Sequence, residues 1–422
     1  MHGCIWYISK YVALPSAGRG GTRAFLLVRE MARQGHECLI LTSDANHLAS
    51  VPDLHGSHLL HDIEGVKVCW IRTRKYVGAK SIGRVLSWLD FEWQLWRLRK
   101  GALPRPDAVI VSSLSLLTVF NGLWLRWRFR CRLIFEIRDI WPLTLVEEGG
   151  FSPWNPLVIA LGWVERLGYR RADAIVGTMP NLAAHVKGQV ASAAPVHAIP
   201  FGVDPDALGD GVSVPPEWVE RHVLKGRFVV CHAGTIGITN ALETLFDCAR
   251  MMHDDPDVHF LIVGEGDLKE HYQAASADLS NVTFTGPVPK QMVQSVLRRV
   301  DLVYFATHPS KVWDYGMSLN KVVDYMLAAR PVVGSYSGFR TMIEEAGCGS
   351  MVPAQDPTAL RSEIERYRGM SAEQRATMGA RGRAWLLEHR TYRELAAKYV
   401  EIALPEGSPS VSAQNPSAVQ AA

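Results

Sequence analysis

The chain has 422 residues and a mass of 46.8 kDa, more than one typical domain holds, so two domains are expected. Hydrophobic residues at 48%, charged residues at 21%, 35 Gly and 23 Pro are ordinary for a globular protein and exclude a disordered, collagenous or disulfide-stapled chain. The formal net charge is +3, and seven cysteines (Cys4, Cys38, Cys69, Cys131, Cys231, Cys248 and Cys348) lie far apart with no CxxC or zinc spacing, which implies a reducing cytoplasm and no structural metal.

The start, Met1-His2-Gly3-Cys4-Ile5-Trp6-Tyr7, lacks the basic n-region, apolar stretch and small-residue cleavage site of a signal peptide. Short apolar runs then alternate with helical patterns, the signature of βαβ units around parallel sheets. Strands are expected at 3–8, 37–42, 66–71, 107–111, 132–137, 173–177 and 195–199, then at 227–232, 258–263, 281–284, 301–305 and 331–334. Residues 108–125 carry no charge and approach the length of a membrane span. Their Ser, Thr, Asn and Gly content instead divides them into a β-branched run (Ala108 to Val111), a Ser-rich turn and a helix. Two doubly wound α/β domains follow, facing a cleft. Ile199-Pro200-Phe201-Gly202-Val203-Asp204-Pro205 suits a hinge, placing the boundary near 203. Residues 371–403 read as helical, and 405–422, rich in Pro, Ser, Ala and Gln, as disordered.

Open parallel sheets bind ligands beyond the carboxyl ends of their strands. After the first strand comes Pro15-Ser16-Ala17-Gly18-Arg19-Gly20-Gly21-Thr22 and a helix from Arg23 to Gln34; after strand 227–232 comes Ala233-Gly234-Thr235-Ile236-Gly237, with Asn240 near the next helix start. Each is a strand, small-residue turn and helix, suited either to an anion on helix amides or to a plain connection. Neither fits GxGxxG or a P-loop. Farther on, Tyr315-Gly316-Met317-Ser318-Leu319-Asn320-Lys321 precedes a helix expected over Val322 to Ala329. Ser318 would be its N-cap. Lys321 would lie in the first turn, where the helix dipole disfavours a cation unless an anion is bound. A surface lysine is the alternative. The fifteen histidines are scattered, and His2, His36, His185 and His232 read as structural or exposed.

Several strings together resemble the retaining glycosyltransferase family 4, whose members have the two-domain GT-B fold. Ala198-Ile199-Pro200-Phe201-Gly202-Val203-Asp204 is similar to that family's "IPNGVD", and Gln34-Gly35-His36-Glu37-Cys38 to "GHEV". Val263-Gly264-Glu265-Gly266 with Asn281-Val282-Thr283-Phe284-Thr285-Gly286 is similar to "VGxG... NVxFxG", and Lys321 through Val333 to "ExMAxGxPVV". Phe135-Glu136-Ile137-Arg138-Asp139-Ile140-Trp141-Pro142 and Ser318 to Lys321 most resemble a bacterial surface-polysaccharide subgroup.

The resemblance implies a retaining transfer of a hexosyl or N-acetylhexosaminyl group from a UDP-sugar to a lipid-linked or glycan acceptor, without a separate cofactor. It implies an acceptor-side domain over 1–202, a nucleotide-sugar domain over 203–370, helices over 371–404 that cross back to the first domain, and a tail over 405–422. Arg138, Asp139 and Lys321 become the catalytic candidates. Gly20, Gly21, Gly234, Thr235, Gly237, Gly264, Val288, Ser318, Asn320, Lys321 and Asp324 become the donor-binding ones. Asp324 falls where the family's second Glu holds the ribose; Gly316 stands at the first Glu position, and Asp314 reaches it only with a two-residue insertion. The Arg and Lys that relatives carry between Thr235 and Ala241 are absent. A GT-B-like nucleotide-sugar epimerase and a non-catalytic GT-B partner protein are the alternatives.

Between Arg72 and Arg132 stand thirteen Lys or Arg against Asp90, Glu92 and Asp107, mixed with Trp88, Trp93, Trp96, Trp124 and Trp127. Cations and tryptophans together suit an anionic membrane surface, so contact with the inner membrane is expected; core tryptophans beneath a solvated basic face are the other reading. No nucleic-acid-binding signature accompanies the charge.

Overall fold

The computed structural model describes residues 2–15, 21–46, 51–76, 82–204, 206, 212–224 and 226–406. The chain divides into two compact units, one running to Pro200 and resuming at Tyr392, the other spanning Phe201–Thr391.

Among the described residues the first unit is built on eight strands: β1 (Cys4–Ile8), β2 (Glu37–Ser43), β3 (His58–Ile63), β4 (Val66–Ile71), β5 (Ala108–Ser112), β6 (Arg132–Ile137), β7 (Ala174–Gly177) and β8 (Val196–Ala198). Their order is β3-β4-β2-β1-β5-β6-β7-β8, parallel except for the antiparallel β3–β4 pair. The central strands are continuous Val, Ile, Leu and aromatic runs because helices cover both faces. Ile5, Tyr7, Ile110 and Ile134 pack with Arg23–Arg33 and Tyr392–Ala403 on one face. On the other, a Cβ at Gly122 would touch Leu133 and Val111, which point the opposite way. Glycine there lets Thr118–Phe129 lie close to the sheet, with Ile82–Arg97 and Pro156–Arg171 packed beside that helix.

The second unit carries β9 (Phe228–Ala233), β10 (Val258–Val263), β11 (Val282–Gly286), β12 (Leu302–Ala306), β13 (Val332–Ser335) and β14 (Gly349–Val352). These are parallel strands in the order β11-β10-β9-β12-β13-β14. Alternate residues feed two cores: Val229, Cys231, Leu261 and Val263 one, Val230, Phe260 and Ile262 the other.

Two doubly wound parallel sheets are what the alternation of patterns implied. Two strands escaped it. β3 is a largely solvent-facing edge strand, His-Leu-Leu-His-Asp-Ile, that joins β4 through Glu64 and Gly65, both at positive φ; its stability comes from a tight hairpin turn rather than an apolar run. β14, Gly-Ser-Met-Val, is short and closes the other sheet's edge. The uncharged stretch from Ala108 resolves into β5, a 3-10 turn at Ser113–Ser115 and the helix Thr118–Phe129. No helix among the described residues is long and apolar enough to cross a membrane. All seven cysteines are buried and unpaired.

The unit boundary falls between Pro200 and Phe201, and the helical stretch at the end is divided between the units. Ala372–His389 stays in the second, while Tyr392–Ala403 joins the first, setting Tyr392, Leu395, Ala396, Tyr399 and Ala403 into its core at helical spacing. The tail expected to be disordered lies from residue 407 outside the described residues.

Candidate active site

In the second sheet the strand order reverses between β9 and β12, the place where such sheets present a crevice at their carboxyl ends. A cavity of about 450 Å³ opens there, lined by Ala233, Gly234, Thr235, Val263, Gly264, Glu265, Pro287, Val288, Lys290, Val293, Leu319, Asn320, Lys321 and Asp324. Seven of the expected donor residues (Gly234, Thr235, Gly264, Val288, Asn320, Lys321 and Asp324) thus share one wall.

Backbone contact builds the floor. Gly264 has φ +152°, and a Cβ on it would lie 1.8 Å from the Gly234 carbonyl oxygen; only glycine allows the turns after β9 and β10 to touch. Gly234 N–H donates to Val263 O (2.9 Å), Ile236 N–H to Glu265 O (2.9 Å) and Leu268 N–H to Ile236 O (3.1 Å). Tyr325, fully buried, fastens the end of β9: its hydroxyl accepts from Ala233 N (3.0 Å) and donates to Ala233 O (2.9 Å).

The helix that brings Lys321 begins at Asn320, two residues earlier than expected, and its N-cap is Leu319, with no side-chain cap. Ser318 is therefore not the cap. Its hydroxyl accepts from the N–H of Phe201 (2.8 Å) instead, and it does not line the cavity. The first-turn amides of Asn320 and Lys321, which an α-helix leaves without intrahelical partners, stand where both residues line the cavity. The Lys321 ammonium donates to Asn240 Oδ1, and Asn240 Nδ2 donates to Thr235 O at 2.8 Å. Burial pushes the Lys321 ammonium down to about 8, so at neutral pH the cavity holds a poorly solvated cation that an anion would stabilise. Beside it His232, at the end of β9, is fully buried. Burial first and the Lys321 charge second drive the imidazole down to about 3, so it is neutral and does not compete for an anion.

Gly237 does not open an α-helix. A 3-10 turn, Ile238–Asn240, and Ala241 at φ +43° intervene before the helix Glu243–Met251, so Gly237 stays outside the cavity lining. The turn serves to place Asn240. Asp324 reaches the cavity with its carboxylate ion-paired to Lys290, and Gln294 Nε2 donates to the Asp324 backbone oxygen (2.9 Å). Asp314 lies exposed in a 3-10 turn, Lys311–Tyr315, away from this lining.

In the first unit Arg138 and Asp139 follow β6 at its carboxyl end, as the strand reading requires. Ser113 Oγ accepts from Arg138 N (3.0 Å) and Thr178 Oγ1 donates to Arg138 O (3.2 Å), which ties the loop to its neighbours in the sheet. Burial raises the Asp139 carboxyl above the ordinary aspartate range, against the lowering influence of Arg138. Burial, with Asp139 as second cause, raises Glu148 as well. Gly20 lies outside the described residues. Gly21 precedes a helix whose first residue, Arg23, turns inward: its guanidinium pairs with Glu136 at 2.5 Å, both side chains having no exposure, and donates to Ile199 O (2.5 Å). Tyr7 and Tyr399 also donate to the Glu136 carboxylate. Among the histidines, His185 is buried against Glu165 at 2.8 Å, and His36 Nδ1 accepts from Gly3 N (3.3 Å).

Asn240, Lys290, Tyr325, Arg23 and Glu136 went unassigned in the sequence. Glu136 carried the one available signal, a carboxylate inside an apolar strand, which must be paired to be buried. The basic segment divides its tryptophans. Trp88 donates to Tyr11 Oη (2.9 Å) and packs edge-on against Trp141, and Lys100 lies over Trp124. Trp93, Trp96 and Trp127 are 53%, 48% and 75% exposed, and on the adjoining helix Trp163 is 68% exposed.

Residues 20–202 match the model of the glycosyl transferase 4-like domain, and residues 227–368 that of the glycosyl transferases group 1. No curated protein matches the sequence. Among solved structures, the sucrose-phosphate synthase of Thermosynechococcus elongatus is 17% identical with a TM-score of 0.69, over 95% of this chain and 98% of that one. Anabaena HepE, in complex with UDP and glucose, is 15% identical with a TM-score of 0.63, over 95% and 99%. WaaG, a glycosyltransferase involved in lipopolysaccharide biosynthesis, is 12% identical with a TM-score of 0.63, over 95% and 100%. At these identities the likeness is one of fold.

Proposed function

We propose that the chain, which is a glycosyltransferase of the GT-B type, moves a hexosyl or N-acetylhexosaminyl group from a UDP-sugar to a lipid-linked or glycan acceptor in cell-surface polysaccharide synthesis, with retention at the anomeric carbon. The observation that carries the donor reading is the half-buried ammonium of Lys321 at the start of an uncapped helix, in a cavity floored by the Gly234 and Gly264 turns. As the sugar–phosphate bond breaks, charge grows on the departing diphosphate. A partly desolvated cation and a pair of helix amides stabilise that charge more than they stabilise the intact donor. Asp324 takes the ribose hydroxyls, and Val288 and the Gly264 turn border the base. On the acceptor side Asp139 orients the attacking hydroxyl, and Arg138 contacts the donor's diphosphate or sugar. Retention follows if the leaving phosphate itself receives the hydroxyl proton, which calls for no pair of carboxylates at fixed separation. HepE in complex with UDP and glucose supports a UDP-sugar donor.

The exposed tryptophans among arginines support a peripheral position on the cytoplasmic face of the inner membrane, where a lipid-linked acceptor is found. Incubation with UDP-sugars and a lipid-linked acceptor tests the reading. UDP release with a new α or β linkage matching the donor is the expected result. A sugar that only changes configuration, with no UDP released, makes the protein an epimerase; failure to bind any UDP-sugar overturns the UDP-sugar reading and favours a non-catalytic partner.

A further inference from the structure

One cavity of the first unit lies away from the chemistry. It measures about 970 Å³ and is lined by Arg126, Trp127, Arg128, Arg130, Arg132 and Asp173, with Leu123 and Cys131. Arg132 opens β6 and Asp173 immediately precedes β7, so the groove sits at the amino ends of the strands, the edge opposite Arg138 and Asp139. Four guanidiniums face one carboxylate, and that carboxylate is already engaged: Asp173 accepts from Arg126 Nε (2.8 Å), from the Arg126 terminal nitrogen (2.6 Å) and from Leu133 N (2.9 Å). Arg132 Nε is buried and has no hydrogen-bond partner among the described residues. Arg128 lies over the Phe129 ring, and Arg130 ends its helix in the left-handed conformation. Cations at a helix carboxyl end also offset its dipole, but that role needs neither a cavity nor a buried unpartnered nitrogen.

We propose that this groove is a phosphate-binding site that seats the headgroup of an anionic phospholipid. The inference rests on the membrane reading above and locates its specific contact. Guanidiniums match phosphate oxygens in a fixed fork, and Trp127, three-quarters exposed at the rim, supplies the ring that settles at a lipid interface. A free phosphate compound would use the guanidiniums and leave Trp127 in water, which is why the lipid is the occupant argued for.

The test is co-sedimentation of the full chain with phosphatidylcholine vesicles, with and without phosphatidylglycerol. The comparison sets an Arg128→Glu/Arg130→Glu pair against a Lys187→Glu/Arg393→Glu pair that makes the same charge change at exposed positions elsewhere on the unit. Binding to phosphatidylglycerol vesicles should fall roughly 30-fold for the groove pair, about 5-fold per surface cation lost, and much less for the control pair. Inorganic phosphate should release the wild type at ionic strengths where chloride does not. Equal losses in both pairs, or equal release by phosphate and chloride, overturn the groove while leaving the membrane reading standing. A wild type that ignores phosphatidylglycerol overturns both, and one that binds inorganic phosphate alone assigns the groove to a soluble phosphate compound. Should the glutamate pair fail to fold, Arg128→Gln/Arg130→Gln gives the same comparison with the charge removed instead of reversed, and the same outcomes support or overturn the groove.

Discussion

The Lys321 ammonium rests on the side-chain oxygen of Asn240, and Asn240 is itself tied to the carbonyl of Thr235, so a cation from the first turn of a helix is steered by the turn after β9. The turn carries no Arg or Lys between Thr235 and Ala241, and Asn240 fixes where the Lys321 ammonium points.

Lys321→Met should lower turnover at least about 100-fold, the scale of losing one preorganised charge donor, and leave the fold intact. Burial moves this lysine from 10.5 to about 8, a penalty of about 3 kcal/mol against the charged form. The unfolded chain therefore holds one more proton between pH 8 and 10.5, and wild-type stability contributed here rises with pH across that window. Urea unfolding of both proteins at pH 7 checks it: the methionine variant should be no less stable. A drop of several kcal/mol would mean the lysine holds the fold together and does not await an anion.

Asp324→Asn should raise the UDP dissociation constant about tenfold, the value of one charged hydrogen-bonding pair. Lys290→Ala, which removes only the exposed partner of the ion pair, should change it less. Calorimetric titration with UDP ranks them, and the reverse order would place Lys290 on the nucleotide and Asp324 behind it.

For Asp139 the expectation concerns pH. Its carboxyl is raised by burial, so the ionised form needed to hold an acceptor hydroxyl is lost as pH falls through a value above the ordinary aspartate range. The acid limb of kcat/KM should sit correspondingly high, and Asp139→Asn should flatten it along with a large fall in rate. An unchanged profile in the variant removes Asp139 from the acceptor site.

Burial alone would raise Glu136, yet the adjoining Arg23 guanidinium holds it below the ordinary glutamate range. The stability it contributes is present above that range and lost as pH falls through the lowered value. Glu136→Gln leaves a buried guanidinium without its counter-charge and should cost about 3–5 kcal/mol, whereas Arg23→Met/Glu136→Leu should recover most of it. Denaturation midpoints of the single and double variants decide the point.

Gly264→Ala should destabilise the second unit by on the order of 2–3 kcal/mol and abolish UDP binding, because the added methyl would meet the Gly234 carbonyl at 1.8 Å. Retained binding would show that the two turns can part without harm.

The alternation of apolar runs with helical stretches is enough to announce two parallel sheets, since each central strand is apolar on both faces. The strings around Gly264 and Lys321 likewise point to residues that share one cavity. What escapes such a reading is set by contacts distant in the chain. β3 depends on a hairpin turn, Asn240 acquires its role only when it meets a lysine 81 positions away, and Glu136 looks out of place until Arg23, Tyr7 and Tyr399 surround it. Ser318 misleads because its spacing suits a cap, yet its hydroxyl is taken by the N–H of Phe201. Gly237 misleads because a 3-10 turn cannot be told from the start of a helix by composition.

Tyr392–Ala403 has a consequence for biosynthesis. A ribosome delivers the first unit's sheet long before it delivers the helix that covers one side of it, and the whole second unit is made in between. Until Leu395 and Tyr399 emerge, the nascent sheet must wait with part of its interior unsealed and the Arg23–Glu136 pair short of one tyrosine hydroxyl. Maturation of the earliest-made domain is thereby a late event, and stalling or truncation before residue 392 should leave a species that chaperones retain.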